Sequence, residues 1–307
     1  MCEYIIETKG LTKVWHGNAA VDGVSLHVPK GQIYGLLGRN GAGKTTAMKM
    51  LLGLIRPTDG SVCLFGRSGA ALDRTQYHRI GSMIEAPAFY ENLTAEENLR
   101  ILARLRGRHR RDTIAHALAV VGLDREGKKP FRAYSLGMKQ RLGLAAAIMH
   151  EPELLILDEP MNGLDPIGIR ETRSRLLRLC RERGTTILIS SHILNEMEQL
   201  ADWIGVLHAG RLLEETSMRE LYRQNRRYVE LAVSDVNKAA MVLERAHGIS
   251  DYEVIDKGRL RLYEQLDSRA QINAALVREG ISVDGISLRE GTLEDWFAGL
   301  IGGGGIG

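Results

Sequence analysis

Cysteine is scarce: Cys2, Cys63 and Cys180 are all there is in 307 residues, with no CxxC or CxxH spacing. That pattern excludes a zinc ribbon and a disulfide framework, and it fits a reducing cytosol. Long apolar runs are missing as well. Stretches such as Leu154–Leu157 are strand-length, far short of the ~18 residues that cross a bilayer. The segment MCEYIIETKG has neither the basic region nor the long apolar region of a signal peptide. Any role at a membrane is therefore expected to use a separate spanning partner. Strong charge of one sign is absent too. A formal net charge of +3 is too weak to argue for nucleic acid. No internal repeat or coiled-coil insertion is visible. What remains is an ordinary globular balance, 44% hydrophobic and 26% charged. The length allows one large domain and a small one.

Residues 3–8 and 20–28 alternate with period two and predict strands of an antiparallel sheet. Gln32 to Leu37 predicts a short buried strand that runs into a glycine-rich turn and then a helix, Thr45 to Leu54. A turn at Arg56 to Gly60 precedes a strand at Ser61 to Phe65. Residues from about 86 to 150 read mainly as helix: Thr94 to Arg106, Asp112 to Val121, and Leu136 to Met149. Leu154 to Leu157 and Thr186 to Ile189 are continuous apolar strands, as in a parallel sheet covered on both faces. A helix from Gly168 to Arg183 joins them into a βαβ unit. Arg100, Arg104, Arg108 and Arg111 fall at the spacing of one helix face. A solvated face is the plain interpretation; a face near anionic headgroups or partner loops is the sharper one.

The composition changes after about residue 216. Residues 217–227 read as a charged helical linker and 228–301 as βαββαβ, the order of a small ferredoxin-like domain. Residues 302–307 read as a flexible tail. The first part, 1–216, is expected to be the main α/β domain, with a helical subdomain at about 86–150.

Two stretches carry chemistry. The first is Gly38-Arg39-Asn40-Gly41-Ala42-Gly43-Lys44-Thr45, which matches G-x-x-x-x-G-K-S/T between a strand and a helix. Glycines let the backbone wrap phosphate oxygens with its N–H groups inward. The helix N-terminus adds the positive end of a dipole. Lys44 supplies a charge to the β- and γ-phosphates, and Thr45 a hydroxyl to Mg²⁺. Gly38, Arg39, Asn40, Gly41, Ala42, Gly43, Lys44, Thr45 and Thr46 are the expected nucleotide contacts.

The second stretch is Tyr134 to Pro166, YSLGMKQRLGLAAAIMHEPELLILDEPMNGLDP. Its apolar strand ends in Asp158-Glu159, at the edge where α/β sheets place ligand groups. Asp158 can hold Mg²⁺ as the partner of Thr45. Glu159 is then placed to orient or deprotonate an attacking water. An apolar run followed by Asp-Glu is common by itself; the upstream P-loop gives it meaning. Ser135 opens a helix. It serves as an N-cap, and a serine-capped start beside Gly137 is also an anion site.

Tyr134-Ser135-Leu136-Gly137-Met138 resembles the signature turn of ABC transporter ATP-binding subunits, usually written LSGGQ. Ser135 and Gly137 match; Leu136 and Met138 depart. The resemblance covers about residues 3–215. It implies a P-loop ABC ATPase domain with a parallel-sheet core, an antiparallel β subdomain and a helical subdomain, followed by a small C-terminal α+β domain. It implies ATP and Mg²⁺ as ligands, and a homodimer or paired subunits that sandwich two ATP molecules. Each signature turn would then meet the γ-phosphate held by the opposite P-loop. Asp165 in Gly163-Leu164-Asp165 resembles the D-loop that crosses the dimer interface. His192, in SSHILNEM, resembles the switch histidine near the γ-phosphate. Alone, a histidine at a strand end is more often a packed or solvated residue. Trp15 stands where the family stacks an aromatic on adenine, worth about 1–3 kcal/mol by analogy with base stacking; simple packing is its plain alternative.

One departure is informative. The family usually has glutamine where this chain has Glu85, in IGSMIEAPAFYENLT. A carboxylate is also a hard ligand for Mg²⁺. The same substitution marks the ATPases of lantibiotic self-protection transporters, and the YSLGMKQRLG turn and appended domain also resemble the bacitracin-resistance type. Drift within another exporter branch, for a drug or a lipid, is the alternative. The resemblance implies coupling of ATP hydrolysis to transport at the cytoplasmic membrane face, through separate permease subunits and without nucleic acid. A soluble ABC ATPase acting on ribosomes or DNA is the rival class. Such proteins usually carry two cassettes or a long coiled-coil insertion. A monomeric P-loop kinase or GTPase does not explain Ser135, Asp165 and His192 together.

Overall fold

The computed structural model describes residues 3–68, 74–85, 88–107, 111–224, 227–289 and 293–302. The chain divides into two compact units, Met1–Met218 and Arg219–Gly307. The first unit opens with β1 (Tyr4–Trp15), β2 (Asn18–Val24) and β3 (His27–Pro29). Then β4 (Ile33–Leu37) enters the core and is followed by α1 (Lys44–Leu51). The chain returns to the first sheet as β5 (Asp59–Leu64) and β6 (Arg67–Ser68). These antiparallel strands lie in the order β2-β1-β5-β6, with β3 also paired to β1. Strand β1 is twice the expected length. It pairs with three strands: β3 along its first half, β5 from Ile6 to Thr12, and β2 along its second half.

After α2 (Arg74–Tyr77), β7 (Ile80–Met83) leads to the helices α3 (Ala95–Leu105), α4 (Arg111–Val121) and α5 (Leu136–Ile148). Next come β8 (Leu154–Leu157), α6 (Pro166–Arg183), β9 (Thr186–Ser191), α7 (Leu194–Glu198), β10 (Trp203–His208) and β11 (Arg211–Ser217). The central sheet has the order β11-β10-β4-β9-β8-β7. All its pairs are parallel except β10–β11, so β11 is an antiparallel edge. Strands β4, β8 and β9 are buried at every position, which is the burial that unbroken apolar runs require. Local signals set the helix ends. Thr94 and Glu97 form a capping box on α3. Asp165 caps α6 ahead of Pro166, and Gly184 closes it in a left-handed turn.

The arginine stripe is corrected by this layout. α3 ends at Leu105 and α4 starts at Arg111, so Arg100 and Arg104 share a helix but Arg111 opens another. The intervening Gly107 has φ 69°, a helix-ending conformation. Arg108 lies outside the described residues. Among the described residues no helix is long and apolar enough to cross a membrane.

Following α8 (Met218–Gln224), the second unit runs β12 (Tyr228–Val233), α9 (Val236–His247), β13 (Tyr252–Val254), β14 (Arg259–Leu262), α10 (Arg269–Arg278), β15 (Val283–Arg289) and α11 (Leu293–Gly302). Its sheet order is β13-β14-β12-β15, antiparallel throughout. Val229, Leu231 and Val233 of β12 pack with Ala239 and Leu243 of α9 and Ile272 of α10 in a core of their own. Of the expected tail, residues 303–307 lie outside the described residues.

One packing contact ties the signature helix to the sheet. A Cβ at Gly81 of β7 would stand 2.1 Å from the carbonyl of Ala147 on α5. Gly81→Ala is expected to destabilise the protein by about 1–3 kcal/mol, the usual cost of overpacking. Urea denaturation reads this as a lower midpoint; an unchanged midpoint rejects the contact.

Candidate active site

The P-loop fills the gap between β4 and α1, at the C-terminal edge of the parallel sheet. Its glycines are held by their neighbours. Gly43 has φ 105° and a Cβ there would stand 2.4 Å from the Ala20 carbonyl. At Gly38 a Cβ would stand 2.5 Å from the Leu207 carbonyl. No side chain caps α1 at Gly43, so its first N–H groups are available to an anion. The Lys44 Nζ donates to the carbonyls of Gly38 at 2.7 Å and Arg39 at 3.3 Å. The residue is only 5% exposed. Arg39, Asn40 and Gly41 are exposed at the tip of the loop.

Asp158 and Glu159 follow β8 directly. Asp158 is buried, and two hydroxyls satisfy it. Thr45 Oγ1 donates to Oδ2 at 2.7 Å, and Ser190 Oγ donates to Oδ1 at 2.6 Å. Ser190 also accepts the Glu159 N–H at 2.9 Å. Glu159 holds φ 46°, a left-handed backbone that non-glycine residues adopt at a cost of about 1–3 kcal/mol. Its Oε2 lies 2.9 Å from His192 Nδ1. Its Oε1 lies 3.2 Å from Lys44 Nζ, without the alignment of a hydrogen bond. The expected catalytic pair, Glu159 and His192, is therefore in contact, and so is the expected metal pair, Thr45 and Asp158.

Glu85 goes elsewhere. It has φ 62° and pairs with Lys49 of α1 at 2.5 Å. Trp15 closes β1 and is 46% exposed, with the Lys13 ammonium 4.3 Å from its ring centroid. That β1–β2 hairpin also supplies the Ala20 carbonyl against Gly43. The ring is thus an open face on a hairpin that adjoins the P-loop.

Ser135 caps α5, accepting the Met138 N–H at 3.3 Å. Ser135 and Leu136 are exposed, Gly137 is half-buried, and Met138 is buried in its own subunit. Asp165 accepts the Gly168 N–H at 2.9 Å as the cap of α6. Two residues that reasoning from the sequence missed stand out here. Ser190 bridges Asp158 and Glu159; its only signal was two serines before His192. Lys49, one helical turn beyond Thr45, had none.

A family model described as ABC transporter matches residues 21–162. The bacitracin transport ATP-binding protein of Enterococcus faecalis is 57% identical over 304 residues, 99% of this chain and 98% of that one. The chain belongs to the ABC transporter ATP-binding family. This ABC transporter ATPase is also 44% identical to the lantibiotic transport ATP-binding protein of Streptococcus pyogenes, over 69% of this chain and 90% of that one. A solved structure of an ATP binding subunit of an ABC transporter is 32% identical, with a TM-score of 0.64 over 72% of this chain and 92% of that chain. The family implies ATP binding.

Ser190→Ala removes the donor to Asp158 and the acceptor of the Glu159 N–H. An orphaned buried group costs about 1–3 kcal/mol, so ATP hydrolysis is expected to fall on the order of tenfold or more, with ATP binding affected less. Phosphate release and nucleotide titration of the same preparation check this; undiminished turnover rejects it.

Proposed function

We propose that this ABC transporter ATPase drives export of a peptide antibiotic of the bacitracin or lantibiotic kind. It would do so at the cytoplasmic face of the membrane, through separate permease subunits. The observation that carries the hydrolytic part is the convergence of Lys44, Thr45, Asp158, Glu159 and His192 at one sheet edge. The peptide-antibiotic part is supported by the bacitracin transport relative, whose likeness runs through the second unit as well as the first.

Lys44 keeps an ammonium among the P-loop carbonyls, within reach of the ATP phosphates. Mg²⁺ fits the donors present. Thr45 and Asp158 offer hard oxygens 2.7 Å apart. Among the described residues no group of three or more His, Cys, Asp or Glu could hold a metal alone. That suits an ion that shares its ligands with phosphates. Bound there, Mg²⁺ would neutralise charge on the β- and γ-phosphate oxygens. Glu85 is a further hard oxygen donor, and it must release Lys49 to serve. Glu159 orients the attacking water and takes its proton. His192 Nδ1 steadies Glu159 and leaves Nε2 for the γ-phosphate.

Ser135 and Gly137, at the start of α5, supply an anion site to the γ-phosphate on a second copy, giving a nucleotide-dependent homodimer. Asp165 sits at the same interface, and Trp15 stacks on adenine. We read residues 1–216 as the ATP-binding cassette, 217–227 as linker and 228–301 as a ferredoxin-like accessory domain.

Glu159→Gln is expected to lower hydrolysis by about 10²-fold or more and to accumulate an ATP-bound dimer by size exclusion. Lys44→Ala is expected to abolish nucleotide binding. A sensitive bacterium carrying this chain with its permease should gain bacitracin resistance and lose it with Glu159→Gln. Normal turnover by Glu159→Gln rejects the catalytic assignment. Absent resistance with active ATPase rejects the substrate.

A further inference from the structure

One buried ionisable group is left unused by the mechanism above. Glu196 stands in the first turn of α7, four residues beyond His192. It is only 8% exposed. Its Oε2 is buried and has no hydrogen-bond partner in the structure. Together with Glu159, Asn162, Ser190 and Ser191 it lines a narrow crevice below the catalytic carboxylate. Buried carboxyls rarely go unpartnered, because an orphaned acceptor forfeits its hydration. A proton on Oε2 would turn that orphan acceptor into a donor. Glu159, Ser190 and Ser191 line the same crevice.

We propose that Glu196 is a positioning residue for ATP hydrolysis, acting as a neutral carboxylic acid on the Glu159–His192 pair. The idea rests on Glu159 being the base. Four observations agree on it. The residue is buried, its Oε2 is buried and unpaired, it shares a crevice with Glu159, and it belongs to the short helix that His192 leads into. The charged groups that face it are His192, Glu159 and Arg173 of α6. Burial pushes its carboxyl above the usual range; Glu159 pushes the same way, while His192 and Arg173 oppose. A neutral acid adds no second negative charge beside Glu159, so Lys44 and His192 remain the partners of one carboxylate. Ionised, Glu196 would compete with Glu159 for His192 and repel it. Its proton thus sets how firmly Glu159 is held where water must be activated.

The test combines kinetics with a spectroscopic readout on the full chain. The first arm measures kcat and KM for Mg-ATP across pH for wild type, Glu196→Gln and Glu196→Ala. The second follows the ¹³C carboxyl titration of Glu196, assigned by its loss in Glu196→Gln. Glu196 is expected to titrate above the ordinary carboxylate range, and to move down in Glu159→Gln, where the like charge is gone. The wild-type kcat profile should carry an inflection at that titration, and Glu196→Gln should lack it. KM should stay within about twofold, and Glu196→Ala should lose on the order of tenfold in kcat. Titration in the ordinary range, or one blind to Glu159→Gln, overturns the proposal. So does a lowered Tm with pH profiles parallel to wild type, the mark of a merely structural residue. The carboxyl titration needs no turnover, so it can fail while Glu159 stands, or hold while the role of Glu159 falls.

Discussion

The site depends on one buried carboxylate. Asp158 accepts hydrogen bonds from Thr45 on one oxygen and from Ser190 on the other. Those two donors come from the P-loop helix and from β9, so a single side chain pins together the N-terminal end of α1 and the C-terminal ends of β8 and β9. Burying a carboxylate is costly unless its lone pairs are met. Hydroxyls meet them without cancelling the charge. Both carboxylate oxygens are therefore satisfied by donors that bring no positive charge, which suits a cation site. The order of strands makes the arrangement possible: β9 lies between β4 and β8. Residues that are 32 and 113 positions apart in the chain reach Asp158 because those strands run in parallel and end together.

Glu159 inherits its position from that anchor. Its N–H is tied to Ser190 and its backbone is held left-handed. The strain is stored where the chain must turn sharply off β8 to point a carboxylate between Lys44 and His192. The pair of contacts is asymmetric: an aligned one to the imidazole and an unaligned one to the ammonium. An ammonium held by two P-loop carbonyls is free to lean toward phosphate without disturbing the Glu159–His192 contact.

Much of this was legible because the relevant signals are local. The P-loop has fixed spacing, β8 is an unbroken apolar run, and Ser135 caps a helix in a way that a short window reveals. The residues that went unread depend on distant partners. Ser190 matters through Asp158, and Lys49 through Glu85; neither pairing has a local trace. Strands β10 and β11 also went unassigned, since β11 mixes charged and apolar residues as an edge strand does. The arginine stripe failed for the opposite reason. Its spacing is helical on paper, but the chain turns at Gly107 and starts a new helix.

Two of the departures from the family pattern find counterparts inside the chain. Glu85, where glutamine is usual, meets Lys49, so its added negative charge is neutralised by a cation on the P-loop helix. Leu136, where glycine is usual, lies over Gly163, where a Cβ would stand 2.6 Å from its Cδ2. Gly163 also holds φ 74°. Its backbone conformation is what requires glycine; the exposed Leu136 tip could shift to admit a Cβ. A Leu136 that fills this space links the signature turn to the D-loop within one subunit. The unusual spelling thus does not weaken the signature turn: Ser135 still caps α5 and Gly137 still leaves the helix start open. It adds a contact between the two turns within one subunit.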